Sequence, residues 1–324
     1  AKIKLVELVN IAGVQLFLQT QVIDVLMDDT TINGVIISSP EGIGAVKAEI
    51  VIDASGDGQV AFLAGAEYEK GCKEDGLLQP VSLMFKLGGV DDSIAITGSN
   101  HTYDVRMPGS SFNDFCKQAA ERGELPEIVT FVRLYRTSRS GECVVNATQA
   151  NSIDATKVED ITKAEAILRS QIPEVVQFLQ KHIKGFENCF LQESASTLGV
   201  RETRRILGEY MLTEEDLIAG RRFDDVIVHD AYYNIDIHNP SGGGMQEFTP
   251  VLPYDIPYRC IIPRKIDNLL TAGRCISGTH RAQASYRVMS ICMAIGQAAG
   301  IAAALASQKK ISPRRLDVEL IQNQ

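Results

Sequence analysis

Asn268-Leu-Leu-Thr-Ala-Gly-Arg274, followed a short loop later by Arg287-Val-Met-Ser-Ile-Cys-Met-Ala-Ile-Gly-Gln-Ala-Ala-Gly300, decides the fold of this chain. The first piece reads as a short buried strand ending at a glycine, the second as a helix crowded with small residues. Ala294, Gly296, Gln297, Ala298, Gly300 and Ala303 form the small-residue side of that helix. Side chains this small let another backbone, or a flat ligand, approach closely. The same spacing also fits a tightly packed core helix in an ordinary α/β protein.

The chain has 324 residues, enough for a full core and for two domains. Its hydrophobic share of 45% and charged share of 23% are those of a soluble globular protein. A net charge of −9 argues against an electrostatic surface for nucleic acid. Seven cysteines lie far apart with no C-x-x-C pair, which fits reduced thiols in the cytoplasm better than disulfides or zinc. Five scattered histidines lack H-x-x-x-H spacing, so no metal is expected. The apolar run Ile291 to Leu305 reads as too short and too weakly hydrophobic for a membrane span. No signal peptide opens the chain. A cytoplasmic protein without a membrane span is expected.

Ile3, Leu5, Val6, Leu8, Val9 and Ile11 read as a helical apolar stripe capped at Gly13. Strands are expected at Val14–Leu18, Gln21–Met27, Thr31–Ser38 and Ala45–Ile52, an antiparallel meander with turns at Asp28–Thr30 and Pro40–Gly42. Its last segment runs into Asp53-Ala54-Ser55-Gly56-Asp57-Gly58 and a helix from Gln59 to Ala66. Glycines around an aspartate at a strand's carboxyl end make a turn of the kind that binds ligands in open α/β sheets; a plain βα turn favours the same residues. From about Leu77 the texture becomes mixed: strands at Val81–Leu87, Thr130–Thr137, Glu142–Ala147, Cys189–Ser194, Arg204–Met211 and Asp225–Val228, with helices at Ser111–Arg122 and Ile161–Gly185. Thr213-Glu214-Glu215-Asp216 opens a short helix.

Val51–Gly58, Leu198–Ile206, Tyr254–Arg259, Asn268–Arg274 and Arg287–Gly300, in this order and spacing, resemble the FAD-dependent oxidoreductases of the glutathione-reductase-like superfamily. The nearest likeness is to a bacterial group distantly similar to fumarate reductase flavoproteins. The resemblance implies an α/β fold with an α+β insert. A Rossmann-like FAD-binding domain with a β-meander would occupy residues 1–76 and 256–324, and a mixed α+β substrate domain residues 77–255. It implies FAD as cofactor, held by Ala54, Ser55, Gly56, Asp57 and Gly58 at one turn and by Gly273 and Arg274 at the other. Arg287, Val288 and Met289 would form the helix entry facing the flavin's pyrimidine edge, where a helix N-terminus stabilises charge as the ring is reduced. The family's opening G-x-G-x-x-G turn has no counterpart in these residues, and Gly242-Gly243-Gly244 does not replace it. With no initiator Met, a C-terminal portion is expected, lacking about a hundred residues, one mononucleotide-binding half. Such a portion is expected to hold FAD weakly.

Three residues are candidates for chemistry. His238, at the mouth of the glycine-rich loop, and His280, between the late strand end and the last helix, could each move a proton. Arg201 could clamp a carboxylate, whereas Arg204 and Arg205 fit an ion-pair network with Glu202 and the cluster Glu214–Asp216. Tyr232 and Tyr233 read as packing. The expected function is hydride transfer between flavin and a small organic substrate, with the arginines pointing to an acid. The alternatives are a non-catalytic module that folds without FAD and self-associates, and an α/β enzyme binding another nucleotide.

Overall fold

The structure is a computed structural model that describes residues 2–95, 106–107 and 110–324. Helix α1 (Lys2–Ile11) is followed by Gly13 at φ +66°, as expected, yet none of its side chains is buried. At 100° per residue its apolar positions spread around the whole helix, so they form no stripe. Residues 14–18 form no strand, and Val14, Phe17 and Leu18 are exposed. The meander is β1 (Gln21–Asp28), β2 (Thr31–Ser39) and β3 (Gly42–Lys47), antiparallel throughout.

The run expected as one strand over Ala45–Ile52 is two. After β3 the chain leaves the meander, and β4 (Val51–Asp53) enters a different sheet. Beyond it lie α2 (Gln59–Leu63) and β5 (Tyr68–Glu69). The insert follows, with β6 (Phe85–Gly88), β7 (Arg106–Met107), β8 (Ser110–Ser111), α3 (Phe112–Glu121), β9 (Arg133–Arg136), β10 (Cys143–Asn146), α4 (Val158–His182) and β11 (Phe190–Ser194). Its four-stranded sheet has the order β11-β6-β10-β9. Helix α4 buries Ala164, Leu168, Ile172, Val175 and Leu179 in the core beneath that sheet, at spacings of three and four that keep one face inward.

Of the strand expected over Arg204–Met211, only β12 (Arg205–Ile206) forms, paired with β5. The cap at Thr213 closes as a capping box with Asp216 on α5 (Glu214–Ala219). Next come β13 (Val226–Ala231), β14 (Ile235–His238), β15 (Met245–Thr249) and β16 (Tyr254–Pro257). The return strand is β17 (Leu269–Thr271), and α6 (His280–Tyr286), α7 (Met289–Lys309) and α8 (Glu319–Gln322) complete the chain. Among the described residues this is a mixed α/β architecture of several small sheets and eight helices.

Helix α7 extends past both ends of the predicted apolar run. At 21 residues it is long and apolar enough to cross a membrane by length and composition. Here its Ile291, Ile295, Ala299 and Ala302 are buried in a core shared with Tyr254, Ile256 and Leu270. Of the small-residue side expected for close approach, Ala298 is buried and Ala294 and Ala303 pack against this core, whereas a Cβ on Gly296 or Gly300 would meet no atom within 4 Å. Met289, Met293, Gly296 and Gly300 instead form an open face at spacings of four, three and four.

Strands β4 and β17 pair in parallel, Val51 with Leu269 and Asp53 with Thr271. The buried side chain of Asn268 ties the meander to this pair. Its amide donates to the Ile32 and Glu49 carbonyls, each at 2.8 Å, and its oxygen accepts from the Ile32 N–H at 2.8 Å. Replacing it strands three backbone groups away from water. Asn268→Ala is expected to cost about 3 kcal/mol, read as a lower denaturant midpoint. A loss below about 1 kcal/mol, the size of a single net hydrogen bond, counts against this tie.

Candidate active site

The parallel register brings two strand-end turns side by side. At the first, the buried Asp53 carboxylate accepts from the Ser55 N–H at 3.0 Å and the Ala61 N–H at 2.9 Å, folding the turn onto the start of α2. Ala54 and Ser55 are exposed on it. Gly56 sits at φ +78°, where a Cβ would lie 2.8 Å from Arg274 Nη1. That guanidinium belongs to the second turn and donates to Asp57 Oδ1 at 2.5 Å, which also accepts from Thr203 Oγ1 at 2.8 Å. Gly273, at φ +89°, faces open space. Gly58 does not: Ile206 and Cys275 fill the space beside it, so its close approach is to protein.

Helix α6 carries the next layer. Thr279 caps it, accepting from the Ala282 N–H at 3.2 Å. His280, Gln283 and Arg287 follow at spacings of three and four, which aligns them along one side of the helix and its cap. Histidine 280 is buried, with Nδ1 at 2.9 Å from Glu202 Oε1. The same Glu202 oxygen takes a charge-assisted hydrogen bond from Arg205, and Oε2 accepts from the Gln79 N–H at 3.2 Å. Arg205 also donates to the Gly278 and Gly71 carbonyls, each at 3.0 Å. Gln283 donates to the Arg201 carbonyl at 2.8 Å. Arg287 donates to the Asp236 carbonyl at 2.9 Å and its carboxylate at 3.3 Å.

Around His238 the charge is one-sided. Burial holds its pKa well below 6.5, and Arg201, Arg287 and Arg133 add to that effect in this order. Its partner carboxylate is Asp236, with Nε2 3.8 Å from Oδ1. Arg201 donates to the Pro80 carbonyl at 2.6 Å, and burial, reinforced by Arg287, lowers its pKa to about 9. A small cavity beside them is lined by Phe131, Arg133, Gln149, Arg201, His238 and Gly244.

Arg201, His238 and Arg287, which the sequence presents in three separate motifs, thus meet in one place, and His280 joins them through Gln79 and Gln283. Gln79 Nε2 lies 3.5 Å from Gln283 Oε1, and Arg287 Nη2 lies 3.4 Å from Gln79 Oε1. The ion-pair expectation holds for Arg205 with Glu202 but not for Arg204. Its guanidinium stacks 4.1 Å from the Phe62 ring, and the acidic cluster instead engages Arg221, Tyr210, Thr279 and Arg281. Tyr232 is exposed rather than packed. Sequence reasoning missed Arg133, Gln79 and Glu202. Alternation in Arg133-Leu-Tyr-Arg136 puts Leu134 on the buried side and Arg133 with Tyr135 on the other, and that was the available signal for Arg133.

A cofactor with a flat, negatively polarised group matches what is left open. The Nε of Arg274 and the Nε of Arg287 are buried without a hydrogen-bond partner among the described residues. Both guanidinium groups act electrostatically on Cys292 in the first turn of α7. That helix starts at Val288 without a side-chain cap, and Met289 is 83% exposed. Its first amides are therefore free for a ligand.

A family model described as "FAD dependent oxidoreductase" matches residues 1–324. No curated protein matches the chain. Among solved structures it is similar to a geranylgeranyl bacteriochlorophyll reductase-like protein from Thermoplasma acidophilum, at 12% identity over 99% of this chain and 56% of that one, TM-score 0.42. It is also similar to the p-nitrophenol 4-monooxygenase of Pseudomonas putida, at 10% identity over 98% and 54%, TM-score 0.44. For the anhydrotetracycline hydroxylase of Streptomyces rimosus the values are 10% over 98% and 43%, TM-score 0.41. The chain spans about half the length of these proteins.

The buried imidazole of His238 makes a pH prediction. Its folded pKa is depressed, so the unfolded chain takes up that proton first as pH falls below 6.5. The stability it contributes is complete above that range and is lost on acidification, by up to about 1.4 kcal/mol per pH unit. His238→Gln, neutral at every pH, should show a shallower loss of stability between about pH 6.5 and the folded pKa, measured by denaturant unfolding. Identical slopes would mean that His238 is not held neutral.

Proposed function

Because the chain belongs to the FAD dependent oxidoreductase family, we propose that it carries the ring-side part of a flavin site and exchanges a hydride between FAD and a small carboxylate-bearing substrate. In this reading residues 1–76 and 256–324 build a Rossmann-like FAD-binding domain, and residues 77–255 supply the substrate shell. The observation that carries it is the convergence of Arg133, Arg201 and Arg287 on a neutral His238, with Asp236 as the paired acid. Half-buried guanidinium groups around one site cost stability until an anion joins them.

The residues suited to FAD are Ser55, Gly56 and Asp57 at one turn, and Gly273 and Arg274 at the other. Arg287 and the amides of Val288 and Met289 complete the set. When bound, FAD supplies the two-electron acceptor or donor. Arg201 and Arg287 hold the substrate carboxylate, since a guanidinium presents two parallel donors to it. Asp236 keeps Arg287 aimed, and Phe131 and Gly244 line the cavity. An anion in this place offsets the arginines' repulsion and raises the proton affinity of His238, so that substrate binding and proton uptake are coupled.

Binding of succinate, as a carboxylate probe, to the FAD-loaded protein tests this reading. Arg201→Gln and Arg287→Gln should each weaken it at least about tenfold, the loss of one charge-assisted contact. Binding should take up protons on the acid side of pH 6.5, seen as a buffer-dependent heat in titration calorimetry. Absence of saturable succinate binding, or equal affinity in the variants, defeats the carboxylate assignment. Failure of the protein to take up flavin defeats the cofactor assignment.

A further inference from the structure

Two histidines join one network, each with a carboxylate partner, Asp236 at 3.8 Å from His238 and Glu202 at 2.9 Å from His280, but their wider surroundings differ. His238 faces arginines, which oppose a positive ring. His280 faces a carboxylate, which supports one. We propose that Glu202 is a positioning residue that fixes the tautomer of His280, and that His280 Nε2 moves the substrate's proton. This rests on the carboxylate-binding reading above.

The geometry of Glu202 carries the argument. Its side chain is fully buried and its oxygens are engaged on three sides, by Arg205, the Gln79 N–H and His280 Nδ1. A carboxylate in that state can only accept, so Nδ1 must carry the hydrogen it shares with Glu202. The neutral ring then keeps its lone pair on Nε2. Arg205 holds the same carboxylate oxygen that meets His280, and is anchored in turn by the carbonyls of Gly71 and Gly278. The Gln79 N–H, from a different segment, prevents rotation of the carboxylate about its own axis. Thr279 fixes the backbone one residue before His280 by capping α6 and donating to Glu214 Oε2 at 2.7 Å. The ring is thus placed by elements from four parts of the chain.

Its direction is set by α6. His280 shares its helix side with Gln283, which bonds the Arg201 carbonyl, and with Arg287, which bonds Asp236. In an oxidation that bound FAD would support as hydride acceptor, the substrate's C–H bond would break with its electron pair leaving as hydride. Its O–H or N–H bond breaks as the C=O or C=N bond forms, and that proton passes to Nε2. The Glu202 carboxylate stabilises the charge the ring then gains, and in the reverse direction the proton returns. His238, surrounded by arginines, is the worse acceptor for that proton.

Histidine-selective 15N labelling, with ring NMR on the whole chain and the His280 signals assigned from His280→Gln, tests the proposal without requiring turnover. In the neutral ring of His280 the proton should sit on Nδ1, and succinate should shift the Nε2 signal. Removing both charges together, as Glu202→Leu with Arg205→Met, avoids leaving one buried charge unpaired. This variant loses the partners of the Gly71 and Gly278 carbonyls and the Gln79 N–H and should melt lower but fold, with the His280 proton moved to Nε2, and flavin reduction by an accepted substrate should slow by at least about tenfold. A wild-type ring protonated on Nε2, or a tautomer unchanged in the double variant, overturns the role of Glu202. A His280 Nε2 indifferent to succinate, while the His238 ring responds, overturns the assignment of His280 and leaves the anion site standing. A His238 ring that also ignores succinate sinks the anion site itself, and the tautomer still reports on Glu202. Should the double variant fail to fold, Glu202→Gln gives the same readout through a weakened response of the Nε2 signal to succinate.

Discussion

The parallel pairing of β4 with β17 is the constraint from which the site follows. Parallel strands cannot be closed by a tight turn, so everything between them must leave and return at adjacent points. Asn268 makes that return definite, reaching Ile32 across 236 positions of sequence. With Asp53 opposite Thr271, the two strands end at the same level. Gly56 can then lie under the guanidinium of Arg274, and Asp57 can pair with it. The two turns form one structure, and a residue slip in the register would separate them by about 3.3 Å.

Features written within a short span were legible in the sequence. The two meander strands β1 and β2, the capping box at Thr213 and the strand before Gly273 follow from alternation, capping chemistry and turn residues, and they form close to where they were expected. What depended on distant partners was not. Nothing local says that the chain breaks between Lys47 and Val51, because the break exists to let β4 meet β17. The small residues of α7 suggested a close-approach face through Gly296 and Gly300, but the buried side is set by the sheet and strands it meets, through Ile291, Ile295 and Ala299. Of the site, Arg201, His238 and His280 stood out as residue types in telling positions. Glu202 looked like one member of a charged cluster, because its burial and its three partners are properties of the fold.

The energetics of the site and of the fold pull in opposite directions. Desolvating Arg201 and Arg287 near each other is unfavourable, and the shifts in Arg201 and His238 record it. Those charges are set between two apolar cores. One is built on the four-stranded sheet and α4, the other on α7 with β13, β16 and β17. Such cores can hold a strained polar layer in place. Whatever anion fills that layer stabilises the folded state, because it binds only where the arginines have been brought together.

Helix α6 reaches into two different charge environments. It has seven residues, too few to be stable alone, and is held by Thr279 at one end and by α7 at the other. Its polar side carries the residues that contact both environments: His280 beside the carboxylate of Glu202, and Arg287 beside Asp236 among the arginines. Gln283 and Gln79 lie between and join them by neutral hydrogen bonds, so neither environment cancels the other. An ionised residue at either glutamine position would place a charge against both environments at once. The difference between the two environments therefore depends on two uncharged side chains, as well as on the charges that flank them.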